Sequence, residues 1–123
     1  MRPDLIIAAL LGLLTNPRSF LAGREGNQAA DIFGKSCPPG SSHAVSWTLP
    51  GALAELSTMP FVTPIAMVDA KRGAKIMICK AHGTRLGVSE STWDQVCEWS
   101  AQASHAEVIE LLATAATIPD RIA

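Results

Sequence analysis

Cysteines and histidines fall in three loose pairs along this chain: Cys37 with His43, Cys79 with His82, and Cys97 with His105. A thiol near an imidazole becomes a nucleophile where its setting favours the thiolate, as at a helix N-terminus. Cys37 and His43, in "CPPGSSHAVSW", are the candidates for such a reactive thiol. Cysteine and histidine also hold zinc, but a structural zinc site needs four converging ligands and usually shows two tight pairs. Cys79 and His82 share a helical face, whereas the other two spacings are looser. No G-x-S-x-G, no H-E-x-x-H and no phosphate-cradling glycine loop is present. The residues therefore predict no metal, no cofactor and no catalytic group. The carboxylates Asp69, Glu90, Asp94, Glu98, Glu107 and Glu110 read as solvated faces or caps.

A second chemistry is recognition by charge. Lys71, Arg72, Lys75 and Lys80, followed by Arg85, can line a basic helix face for RNA, DNA or an acidic protein surface. The formal net charge is -1, and the chain has no tyrosine and 3 phenylalanines, a poor supply of stacking platforms. Nucleic-acid binding is therefore expected to be weak and lost in moderate salt. Of the three tryptophans, Trp47 reads as core. Trp99 lies off the Trp93–Cys97 face and is the best placed to anchor a partner.

The elements that must position these residues are mainly helical. The 123 residues, 48% hydrophobic and 17% charged, suit one helical domain over residues 1–123. Three cysteines in no compact framework fit a reducing cytoplasm. "LIIAALLGLL" is far short of the ~20 residues that span a bilayer. Asp4 precedes it and no small-x-small site follows, so it reads as a buried helix rather than a signal segment, ended by Asn16-Pro17. Residues 23–42 are rich in Gly, Pro, Ser and Asn and form a long loop, in which "QAADIFG" can make one helical turn.

Ser41 or Ser42 is placed to cap a helix starting near His43, interrupted at Pro50-Gly51. From Thr63 a cap, Pro64 at the first position and Gly87 as a stop bracket one long helix. Its expected buried face is Ile65, Val68, Ile76, Cys79 and Leu86, although Arg72 falls on it. The competing reading makes "PIAMV" and "KIMIC" two strands of a hairpin. Serines before Trp93 can cap the next helix. Ser104 and Glu107 form a capping box ahead of a stripe of Val108, Leu111, Leu112 and Ala115. The expected fold is mostly α, a small single-domain bundle of about five helices with a long loop early in the chain.

"SSHAVSWTLPGALAEL" and "CEWSAQASHAEVIELL" resemble a family of short bacterial and phage proteins catalogued as a domain of unknown function. The matching positions are Trp47, Gly51, Ala52, Leu53, Trp99, His105, Ala106, Glu107 and Val108. The family's Asn-Asp after the second tryptophan is Ser100-Ala101 here, and Thr48 stands where the family commonly has cysteine. The resemblance implies a small, mostly helical, cytoplasmic protein and carries no activity.

The leading expectation is a non-enzymatic protein-interaction module of a bacterium or phage, with a phage inhibitor of a host defence protein as one form. A protein partner is expected and a membrane is not, and assembly with copies of itself stays open. Two alternatives stand beside it: a small-ligand binder or enzyme using the residue 23–43 loop and Cys37, and a weak nucleic-acid binder using residues 71–85.

Overall fold

A computed structural model of the chain describes residues 3–21, 23, 24, 26, 28–39, 41–56 and 64–118. Five α-helices dominate them: α1 (Pro3–Leu14), α2 (Leu49–Glu55), α3 (Pro64–Leu86), α4 (Trp93–Gln102) and α5 (His105–Ala115). Between α1 and α2 lie a 3-10 turn at Pro17–Ser19 and the two-residue strands β1 (Ala29–Ala30), β2 (Ser36–Cys37) and β3 (Ser46–Trp47). They form an antiparallel sheet in the order β2-β1-β3, with Ala29 opposite both Cys37 and Trp47.

The apolar periodicity of α1 and α5 becomes one buried core. Ile6, Ile7, Leu10 and Leu14 of α1 meet Val108, Leu111, Leu112 and Ala115 of α5, all without solvent exposure. Burying side chains of this size contributes about 1.5–3 kcal/mol each. α3 packs against both helices. The Ser104–Glu107 capping box forms as expected: Glu107 N–H donates to Ser104 Oγ at 3.2 Å and Ser104 N–H to Glu107 Oε1 at 3.0 Å. His105, in the first turn of α5, reaches the last turn of α1, where its Nε2–H donates to the Leu14 carbonyl at 2.6 Å. That carbonyl has no partner within its own helix, so the bond caps α1 as well as joining the two helices.

Pro64–Leu86 is one helix rather than a hairpin; Thr63 and its expected cap lie outside the described residues. Gly87 follows at φ 77°, the left-handed stop its type allows. The buried face is not the expected one. Met67, Ala70, Ala74, Met77, Ile78 and Ala81 face the core, whereas Ile65, Val68, Ile76 and Leu86 are exposed. Of the expected row only Cys79 is buried. α3 carries two apolar arcs, and Arg72 sits on the outward one, where no charge has to leave water. The inward arc is rich in alanine, which lets neighbouring helices approach closely.

The early loop also differs from expectation. "QAADIFG" enters β1 and a tight turn instead of a helical turn. The Asp31 carboxylate accepts the N–H groups of Phe33 and Lys35, and Gly34 closes the turn at φ 76°. No helix starts near His43. The chain runs into β3, and α2 begins at Leu49 with Thr48 as its cap and Pro50 in its first turn. Proline there loses no hydrogen bond, so it helps start the helix that it was expected to interrupt. The α4 cap is Thr92, not a serine, in a second capping box with Gln95.

Two helix glycines lie under crossing backbone. A Cβ at Gly51 would come 2.2 Å from the Gln28 carbonyl oxygen, and one at Gly83 would come 2.6 Å from the Glu90 Cα. By contrast, Gly12 in α1 faces open space. Gly12→Ala should therefore stabilise by about 0.5–1 kcal/mol. Gly83→Ala should destabilise by about 1–3 kcal/mol, because the backbone above must shift. Urea melts of the two variants check this, and changes of the same sign would contradict the close approach.

Candidate interaction face

The outward arc of α3 is a row of apolar side chains left in water beside a cluster of cations. Ile65, Val68, Arg72 and Ile76 follow one another at helical spacing, with Ile65 77%, Val68 55% and Ile76 45% exposed. Lys71 and Lys75, one turn apart, are half-buried beside them. Burial, and then the charge of Lys75, push the Lys71 ammonium below its ordinary range. Among the described residues, neither lysine nor Arg72 makes an ion pair; the pair Arg85–Glu110, at 3.0 Å, lies elsewhere. Against these three cations stand exposed Asp69 on the same arc and Glu90 across the groove, so the local excess of positive charge is small.

The second wall comes from residues 87–92, a strap that doubles back over α3 after Gly87. Val88 N–H donates to the Gly83 carbonyl at 2.9 Å and Ser91 N–H to the Cys79 carbonyl at 3.1 Å. The buried Ser91 hydroxyl meets His82 Nδ1 at 2.8 Å. α4 then starts beside the middle of α3, which sets the Lys75 ammonium 5.3 Å from the centre of the Trp93 ring. This cation–π contact holds Lys75 in place and contributes about 0.5–1 kcal/mol. Between the walls lies an open groove of about 440 Å³, with Arg72, Lys75 and Ile76 on one side and Glu90, Thr92 and Trp93 on the other. A smaller recess of about 100 Å³ shares Lys75 and Trp93 and reaches Lys71 and Pro50. The arrangement offers apolar contact, an indole and three cations to an extended anionic ligand.

Comparisons with protein-family models, curated proteins and solved structures return no match.

The other sequence candidates are scattered. The basic stripe over residues 71–85 does not hold together. Lys80 comes one turn after Ile76, at the edge of the outward arc, but sits about half a helical turn from Lys71 and does not line the groove. Arg85 pairs with Glu110 and lies 5.6 Å from the Trp99 ring. Trp99 itself is half-buried, with its ring centre 5.1 Å from that of His82, and wedges α4 onto α3. Cys37 is half-buried on β2, His43 is exposed in the turn before β3, and no hydrogen bond joins them. Cys79 and His82 do not act as a pair, since His82 is engaged with Ser91. Among the described residues no three His, Cys, Asp or Glu groups converge for a metal. No described helix is long and apolar enough to cross a membrane.

Sequence reasoning missed Trp93 as the partner of Lys75 and Ser91 as the partner of His82. The second pairing had no periodic signal, because a strap contact is set by a turn. The exposure of the α3 arc did have one, namely Arg72 in the middle of an apolar row.

Burial first, then the negative charge of Glu90, pushes the Cys79 thiol up to about 11. Two pH units above an ordinary thiol mean about a hundredfold less thiolate near neutrality. At pH 8, iodoacetamide should label Cys79 in the folded protein at least about a hundredfold more slowly than in urea. Rapid labelling of native Cys79, located by peptide mapping, would contradict its placement in the core.

Proposed function

We propose that the chain is a non-enzymatic protein-binding module whose α3 face and Trp93 groove take an acidic, partly apolar segment of a partner protein. One observation carries this reading: exposed Ile65, Val68 and Ile76 stand directly beside Lys71, Arg72 and Lys75, which have no ion pair among the described residues. Exposed apolar rows rimmed by charge are the usual mark of a docking surface. The cations favour an acidic partner through charge complementarity and faster encounter. Nucleic acid would use the same cations but leave the apolar row uncovered, and the net charge of -1 opposes it. A thiol enzyme built on Cys37 and His43 has less support, because the two are not hydrogen-bonded to each other. The resemblance to short bacterial and phage proteins supports a cytoplasmic setting in a bacterium or an infected host, where inhibition of a host protein is one use of such a face.

The test is capture from a bacterial lysate on the immobilised protein, with mass spectrometry of everything retained. The Val68→Ser/Ile76→Ser variant and the Lys71→Ala/Arg72→Ala/Lys75→Ala variant are run beside the wild type, after circular dichroism shows that each is folded. A defined protein should be retained by the wild type and reduced at least about tenfold by both variants, the equivalent of losing about 1.4 kcal/mol. Retention of nucleic acid instead, or protein capture unchanged in both variants, would overturn the proposal.

A further inference from the structure

We propose that His82 is a proton-operated latch: a second proton on its ring in mildly acid solution releases the residue 87–92 strap from α3 and removes one wall of the groove. His82 is 3% exposed, and its two nitrogens have unequal surroundings. Nδ1 meets the buried Ser91 hydroxyl, while Nε2 is buried with no hydrogen-bond partner. In the neutral ring this leaves a single unmet polar atom, whichever nitrogen carries the proton. The doubly protonated ring is a cation with an N–H on each nitrogen, and the Nε2–H then faces no acceptor.

The neighbouring charges do not rescue it. On its own helix, His82 has the neutral thiol of Cys79 one turn before it and the Arg85 guanidinium one turn after. From α4, Trp99 packs on the ring, and Glu98 lines the adjoining recess without bonding to it. The strap brings the Glu90 backbone against Gly83, and from α5 Glu110 is paired with Arg85. Burial, and then the charge of Arg85, hold the ring below the ordinary histidine range. A charged ring can satisfy Nε2 by turning toward the open recess that it shares with Gln95, Glu98 and Gln102, and turning breaks the bond to Ser91. Three main-chain bonds, from Gly87, Val88 and Ser91, are then left to hold the strap, and only that of Ser91 lies beyond its first two residues.

The direction of the pH effect follows. An unfolded histidine takes its proton near 6.5, and folded His82 takes it only at lower pH. Between those values the unfolded chain carries the extra proton, so stability falls as pH falls. The contribution is fully present above about pH 6.5 and is lost progressively below it. The loss of the groove wall matters for binding only if the proposed function is correct, but the latch stands without it.

The test therefore uses the free protein. Urea unfolding of wild type and His82→Gln from pH 8 to 4.5 cancels the contribution that the two proteins share. The wild-type unfolding constant should rise relative to the variant by up to about tenfold per pH unit below 6.5. In NMR spectra of the wild type, the Val88 and Ser91 amide signals should shift with the same midpoint as the His82 ring. Parallel pH profiles would overturn the latch, as would a native His82 titrating near 6.5 with unmoved strap amides. If His82→Gln does not fold, the wild-type NMR titration decides alone.

Discussion

The strap after α3 can lie on that helix only because residue 83 has no side chain. A Cβ there would come within 3 Å of three backbone atoms of Glu90, too close for any rotamer to relieve. With that contact made, Ser91 reaches both the Cys79 carbonyl and the His82 ring. α4 is then launched beside the middle of α3, with Trp93 under Lys75 and Trp99 against His82. The groove, the clamped lysine and the buried histidine all follow from one close approach. The same device recurs at α2. The chain at Gln28 crosses Gly51, and a buried hydroxyl locks the crossing: Thr48 Oγ1 donates to the Gly26 carbonyl at 2.7 Å and accepts from Gly51 and Gln28 N–H. In both places a helix glycine and a buried hydroxyl replace the apolar side chains that would normally join two segments.

These polar crossings sit outside a conventional core. α1 and α5 bury aliphatic side chains, and the inward arc of α3 adds methionine, isoleucine and alanine. The division explains why α3 can leave a second apolar arc in water. Its packing need is met on one side, and Arg72 prevents the other from turning inward.

Legibility in the sequence followed the range of each signal. The α5 capping box and stripe, the stop at Gly87 and the core position of Trp47 depend on neighbours a few residues away, and each is present. The face of α3 was misjudged because it carries two apolar arcs, and only tertiary packing chooses between them. The sheet was invisible because strands of two residues have no periodicity; it is set by the Asp31 turn and by the Thr48 crossing. Of the candidate site, Lys71, Arg72 and Lys75 could be read from spacing alone. The half-turn between Lys71 and Lys80 follows from helix geometry, but the pairing of Arg85 with Glu110 and the Trp93 contact depend on where α5 and α4 pack. The Cys–His pairs were the most conspicuous chemistry in the sequence, and the fold assigns His82 and His105 to hydrogen bonds with Ser91 and Leu14.

The dependence of the groove on the strap is measured most directly by native-state hydrogen exchange at the Ser91 amide. Its carbonyl partner lies in the middle of α3, and its side chain is buried. If the strap is an integral part of the fold, this amide exchanges as slowly as the core amides of α3, such as that of Ile78, through global unfolding. Exchange near the rate of an unprotected amide, with the α3 core still slow, would show that the strap opens on its own and that the Gly83 contact does not hold α4 in place.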